Sequence, residues 1–235
     1  MLKRLAVTLA TFLIIALPSW AQEAAAPAHA DHHAAAATAT ASAEQIWADL
    51  MAGNERFVTG KSKAHHLVES RQALAQSQHP KAIILSCSDS RVPPELVFDQ
   101  GLGDLFVVRA AGNIADPIGL GSMEYAAEHL GSTVLVVLGH TKCGAVTAAC
   151  SGDKMPSSNL QAMVDKILPA VNQAKASSKG DALVEQAIKD NVHQSAKDVL
   201  ANSEILRHVK DEVKLTIFEA EYQLDTGKVV RLDQK

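Results

Sequence analysis

The 235 residues carry 26 acidic against 22 basic side chains, a formal charge of -4, with 47% hydrophobic and 4% aromatic content. That length and balance suit one large α/β domain, and without a cluster of Lys or Arg the chain lacks the basic footprint needed to grip nucleic acid. It has no polybasic amphipathic stretch for an anionic membrane surface either.

Residues 1–21 read as a secretory signal peptide. Lys3 and Arg4 precede an apolar stretch at 5–17, Pro18 follows, and Ser19-Trp20-Ala21 sets small residues three and one before a cut. The apolar core is shorter than the ~20 residues of a spanning helix, so cleavage is expected, with no stable membrane anchor afterwards and a periplasmic or otherwise exported mature chain. Residues 22–41, rich in Ala and bearing His29, His32 and His33, define no face to bury and read as a flexible arm. A single domain is expected over 42–235.

Ser42, with Gln45 three residues on, forms a capping box for a first helix in which Ile46, Leu50, Met51, Phe57 and Val58 recur at helical spacing and which Gly60 ends. A second helix is expected over 67–77, then Gln78-His79-Pro80 and an apolar strand over 81–86. Further strands fall at 105–110 and 133–139, separated by a helix that Pro117 opens and that runs to about His129. Helices at 144–149, 159–174 and 181–202 follow, and a fresh helix starts at Ser203. The strand at 215–224, a Thr226-Gly227 turn and 229–232 read as a hairpin at a sheet edge. This alternation predicts an α/β fold: a central, mainly parallel β-sheet flanked by helices, with an N-terminal helical arm and the C-terminal edge hairpin.

Chemistry concentrates after two of the strands. Cys87-Ser88-Asp89-Ser90-Arg91 follows the first, and His140-Thr141-Lys142-Cys143 follows the strand at 133–139. In an open parallel sheet, loops at the carboxyl ends of strands gather at one crevice, so Cys87, His140 and Cys143 are expected to meet. Two thiolates and an imidazole suit zinc, and a count of three leaves the fourth position open to water, as in a catalytic site. Cys150 lies seven residues past Cys143 in a helix, roughly 10 Å along its axis, too far to join the same ion, and reads as a small buried hydrophobe. Asp89 and Arg91 are close enough to form a bidentate pair beside the metal. The remaining histidines carry no assigned chemistry.

The two motifs resemble those of the β-class carbonic anhydrases. The run Arg91-Val92-Pro93-Pro94-Glu95-Leu96-Val97-Phe98-Asp99-Gln100-Gly101-Leu102-Gly103-Asp104-Leu105-Phe106-Val107-Val108-Arg109 is similar to the stretch after that family's first Cys, residues 119–126 to its next helix start, and 213–229 to its closing strand and hairpin. The similarity extends over residues 42–231. It implies one Zn2+ per chain on Cys87, His140 and Cys143, with Asp89 and Arg91 as the catalytic dyad. Asp89 paired with Arg91 leaves zinc open to water; swung onto the metal, it closes the shell in an inactive state. Gln78 matches a glutamine that donates to bicarbonate, and Phe106, Ala111 and Tyr125 fall where the family lines its substrate pocket. The Gly144 N–H is similar to a second donor to substrate oxygen. Ala111 is smaller than the residue found in part of the family and implies a roomier pocket. The family places this pocket at a subunit interface, implying a homodimer or homotetramer with CO2 and bicarbonate as small partners. The implied reaction is zinc-dependent reversible hydration of CO2. A related zinc hydrolase acting on carbon disulfide or carbonyl sulfide, and a non-catalytic zinc-binding protein, are the alternatives.

Overall fold

The computed structural model describes residues 41–212 and 215–232. The expected signal peptide and the His-bearing arm up to residue 40 lie outside them. No helix among the described residues is long and apolar enough to cross a membrane.

Five strands form one sheet in the order β2-β1-β3-β4-β5, where β1 is Ala82–Ser86, β2 Leu105–Arg109, β3 Val134–His140, β4 Thr216–Tyr222 and β5 Val229–Arg231. The first four strands are parallel, and β5 returns antiparallel to β4 as the edge hairpin. β1 and β3 are buried along their whole length, which fits their uninterrupted apolar runs. β2, at the opposite edge, is only half-buried.

Side-chain alternation divides the core between the two faces of the sheet. On one face Ile84, Val136, Leu138 and Phe218 meet α1 (Ala43–Val58) and α3 (Pro94–Val97). Trp47 of α1 stacks on Phe218 with ring centroids 5.0 Å apart. The capping box of α1 forms as expected, Ser42 Oγ accepting from Gln45 N while Gln45 Oε1 accepts from Ser42 N. Asn54, buried in the same helix, donates to the carbonyls of Val97 and Gly227 and accepts from Val229 N, so one amide ties α1 to α3 and the hairpin. On the other face Leu85, Leu135 and Val137 pack under α4 (Pro117–Glu128), α7 (Asp181–Ala201) and α8 (Glu204–Glu212), while α5 (Gly144–Ser151) and α6 (Ser158–Ala174) cover the carboxyl end of β1. α7 crosses β3 closely: a Cβ on Gly139 would lie 2.4 Å from Val192 Cγ2, a separation only glycine permits.

Three local features differ from the sequence reading. α2 (Leu67–Ala73) stops short of residue 77, with Leu74 laid over Gly103. α3 and a short 3-10 turn at Ala111–Asn113 occur where no element was expected, since four and three residues are too few to show a period.

Asp99, almost fully buried at the end of α3, gathers Arg56 Nε, His65 Nε2 and the Lys63 N–H onto its carboxylate. Burial pushes this carboxyl up, but these donors outweigh it and bring it from 3.8 down to about 2. Its folded-state value lies below its ordinary one, so the stabilisation is present above about pH 4 and is lost as pH falls through about 2. Asp99→Asn is therefore expected to cost on the order of 2 kcal/mol near neutral pH, with the difference in melting temperature from the wild type shrinking between about pH 4 and 2. Parallel thermal melts across that range would expose a constant difference, which the ionic account does not allow.

Candidate metal centre and active site

Parallel pairing sets Ser86 of β1 level with Leu138 of β3, so the loops leaving both strands start at one end of the sheet. Cys87 follows β1 directly, His140 is the last residue of β3, and Cys143 is the N-cap of α5. All three are buried, and their ligand atoms lie within 4.8 Å of one another. Thiolates bound to zinc at ~2.3 Å in a tetrahedron stand ~3.8 Å apart, so the cluster already has the right scale.

The donor chemistry fits the same ion. His140 Nδ1 donates to the Thr141 carbonyl at 2.9 Å, leaving Nε2 as a free lone pair. That nitrogen is buried and has no hydrogen-bond partner, a costly arrangement that a metal relieves. The Cys87 thiol is pushed down, first by the hydrogen bond from Cys143 and also by the N–H groups of Gly112 and Asp89, against the opposing effect of burial. Cys143 is pushed up by the same bond to Cys87, by burial and by the neighbouring charge. Ligation of a divalent cation by both sulfurs displaces the thiol protons. Zinc is the ion that two thiolates and one neutral imidazole suit best. Cys150 stands apart from this group, half-buried against the apolar cluster around α5 and α6.

Asp89 and Arg91 form the expected bidentate pair. Arg91 Nε donates to Asp89 Oδ1 at 2.9 Å and Nη2 to Oδ2 at 2.7 Å, while the Arg91 N–H adds a third bond to Oδ1 at 3.0 Å. The guanidinium holds the Asp89 carboxyl well below the usual carboxylate range despite some burial. Asp89 Oδ2 lies 3.9 Å from His140 Nε2, beside the three donors and engaged by Arg91. Arg91 also lines a cleft of about 360 Å³ with Lys142, Tyr222, Leu224 and Asp225.

Arg109 and Gly112 carry positioning that sequence reading left unassigned. Arg109, at the end of β2 and level with Ser86, donates to the Cys87 carbonyl at 3.0 Å and the Asp89 carbonyl at 2.6 Å, clamping the loop between Cys87 and Asp89. A cation terminating an apolar strand was the available signal. The Gly112 N–H donates to Cys87 Sγ at 3.3 Å. Its φ of +74° and the 2.7 Å that would separate an added Cβ from Ile167 Cδ1 leave room only for glycine.

The substrate-binding candidates divide into two groups. Gly144 adjoins Cys143 at the exposed start of α5, and Ala111 is exposed immediately before Gly112, so both border the cluster. Gln78 is exposed before β1, at the opposite end of that strand. Phe106 pairs in register with Ile83, four residues before Cys87, or ~13 Å along the strand. Tyr125, half-exposed on α4, lies against Phe106 with ring centroids 6.4 Å apart. A single chain therefore brings Asp89, Arg91, Ala111 and Gly144 to the cluster, while Gln78, Phe106 and Tyr125 stand away from it.

A family model described as carbonic anhydrase matches residues 82–229. Carbonic anhydrase 2 of Mycobacterium tuberculosis is 39% identical over 191 residues, covering 80% of this chain and 91% of that protein. Among solved structures, the β-carbonic anhydrase CafA of Aspergillus fumigatus matches at 27% identity with a TM-score of 0.64, over 80% of this chain and 90% of that one. A tetrameric β-carbonic anhydrase of Sordaria macrospora matches at 25% identity with a TM-score of 0.65, over 80% and 97%. Sheet order, ligand loops and these similarities agree, and the chain belongs to the β class of the carbonic anhydrase family.

Proposed function

We propose that this protein catalyses the zinc-dependent, reversible hydration of CO2 to bicarbonate and a proton, a lyase reaction. The observation that carries the reading is the buried Cys87–His140–Cys143 donor set with Asp89 held beside it by Arg91. When bound, zinc supplies a Lewis acid that makes water a competent nucleophile near neutral pH. Asp89, kept ionised by Arg91, accepts a hydrogen bond from the attacking water and turns its lone pair towards carbon. The Gly144 N–H, at the start of α5, meets the negative charge that develops on substrate oxygen. Neither the carbon disulfide or carbonyl sulfide reading nor simple zinc storage gains support from the site: storage has no use for a water-orienting carboxylate, and the named relatives are carbonic anhydrases.

Gln78, Phe106 and Tyr125 complete the pocket from a second copy of the chain in this reading. The half-buried β2 edge, the exposed Ile118 and Tyr125, and a cleft of about 330 Å³ lined by Phe106, Arg109 and Ile118 suit a homodimeric contact. The tetrameric Sordaria relative favours further pairing of dimers. The N-terminal 21 residues support export, with the periplasm as the working compartment.

Stopped-flow hydration of CO2 by the purified chain tests the activity. Rapid turnover is expected with zinc bound and is lost in Cys87→Ser along with the metal. Two thiolates neutralise the dication and leave water less acidic than an all-imidazole site would, so the rate is expected to rise towards alkaline pH; a flat profile from about pH 6 to 9 contradicts this. Arg91→Ala is expected to retain zinc while turnover falls about a hundredfold, because Asp89 loses the partner that holds it in its accepting orientation. Full activity in that variant would remove the dyad from the mechanism.

A further inference from the structure

We propose that Asn191 is a positioning residue for the metal centre: by holding the Gly112 carbonyl it restrains the residue whose N–H donates to Cys87 Sγ. The proposal rests on Cys87 being a zinc ligand. Asn191 lies on α7, beside Val192, which packs against Gly139 of β3. The residue is 1% exposed, and its Nδ2 donates to the Gly112 carbonyl at 2.7 Å, across 79 residues of sequence.

Gly112 needs such a hold. It is the one residue type that fits between Ile167 and Ala145 at positive φ, and it is also the type whose backbone is least restrained by itself. The peptide that follows it is fixed at both ends: the Asn113 N–H donates to the Ala110 carbonyl at 2.9 Å, and the Gly112 carbonyl accepts from Asn191. The Gly112 N–H belongs to the preceding peptide, joined to this one through the Gly112 Cα at φ +74° and ψ +22°; with the following plane held and Gly112 confined between Ile167 and Ala145, that N–H stays directed at Cys87 Sγ at 3.3 Å, beside the Asp89 N–H at 3.4 Å. An N–H donated to a thiolate disperses its charge and orients its lone pairs, so removal of the Asn191 amide makes Cys87 a less ordered and more electron-rich ligand.

The test compares Asn191→Ala with Asn54→Ala in the full chain. Asn54 is likewise a buried amide, donating to the carbonyls of Val97 and Gly227, but it lies on the α1 face of the sheet. Two readouts are taken: zinc affinity by competition with a chromogenic chelator, and the sulfur-to-metal charge-transfer band of the cobalt-substituted protein. Asn191→Ala is expected to weaken zinc by about tenfold or more and to shift the band to longer wavelength, whereas Asn54→Ala lowers the melting temperature and leaves both readouts at wild-type values. Should Asn191→Ala fail to fold, Asn191→Ser, which removes less volume, carries the same readouts. Wild-type affinity and an unshifted band in the Asn191 variant overturn the positioning role while leaving the metal site intact; a wild-type chain that takes up no metal overturns both together.

Discussion

When β1 and β3 pair in parallel with Ser86 level with Leu138, the segments that follow them leave the sheet at one end, and Cys87 meets His140 although they are far apart in sequence. Everything else about the site depends on that adjacency. Cys143 reaches the same point because the turn after His140 is tight enough to start α5 there, with Lys142 at a φ of +57°. The apolar runs that make both strands fully buried also exclude water from beneath the cluster. A histidine nitrogen without a partner and two adjoining sulfurs then have few ways to be satisfied other than by a cation.

The metal loop is shaped by two arginines with different tasks. Arg91 is more than half exposed, and an isolated surface ion pair of that kind contributes little to stability. Its importance is geometric, since three bonds to one carboxylate leave Asp89 few alternative orientations. Arg109 acts from β2 on the backbone instead, fixing the carbonyls of Cys87 and Asp89 and thus the frame within which Arg91 works.

The metal-ligand set and the Asp89–Arg91 pairing were legible because they are local: the residues sit together in short motifs at the ends of strands that announce themselves as apolar runs. The helices with a full period, a cap such as Ser42 or an opening proline such as Pro117 were legible for the same reason. What stayed hidden depends on distance in the chain. Nothing near Asn191 says that its amide meets Gly112, and nothing near Asp99 says that Arg56, Lys63 and His65 converge on it. Four-residue α3 and the turn at Ala111–Asn113 are too short for any periodicity, and the latter exists because a glycine at positive φ is wedged beneath Ile167.

β2 joins these observations. Its inner edge pairs with β1 and its last residue clamps the metal loop, while among the described residues its outer edge pairs with no strand. Phe106 lies near the start of this strand and Arg109 at its end, so one five-residue segment carries a proposed pocket residue and a support of the loop that holds Asp89. If a second copy covers that edge, the contact that brings in the outlying pocket residues also presses on the strand that frames the dyad. Assembly and site geometry would then be coupled mechanically, through the short stiff segment from Leu105 to Arg109, without any moving part between them.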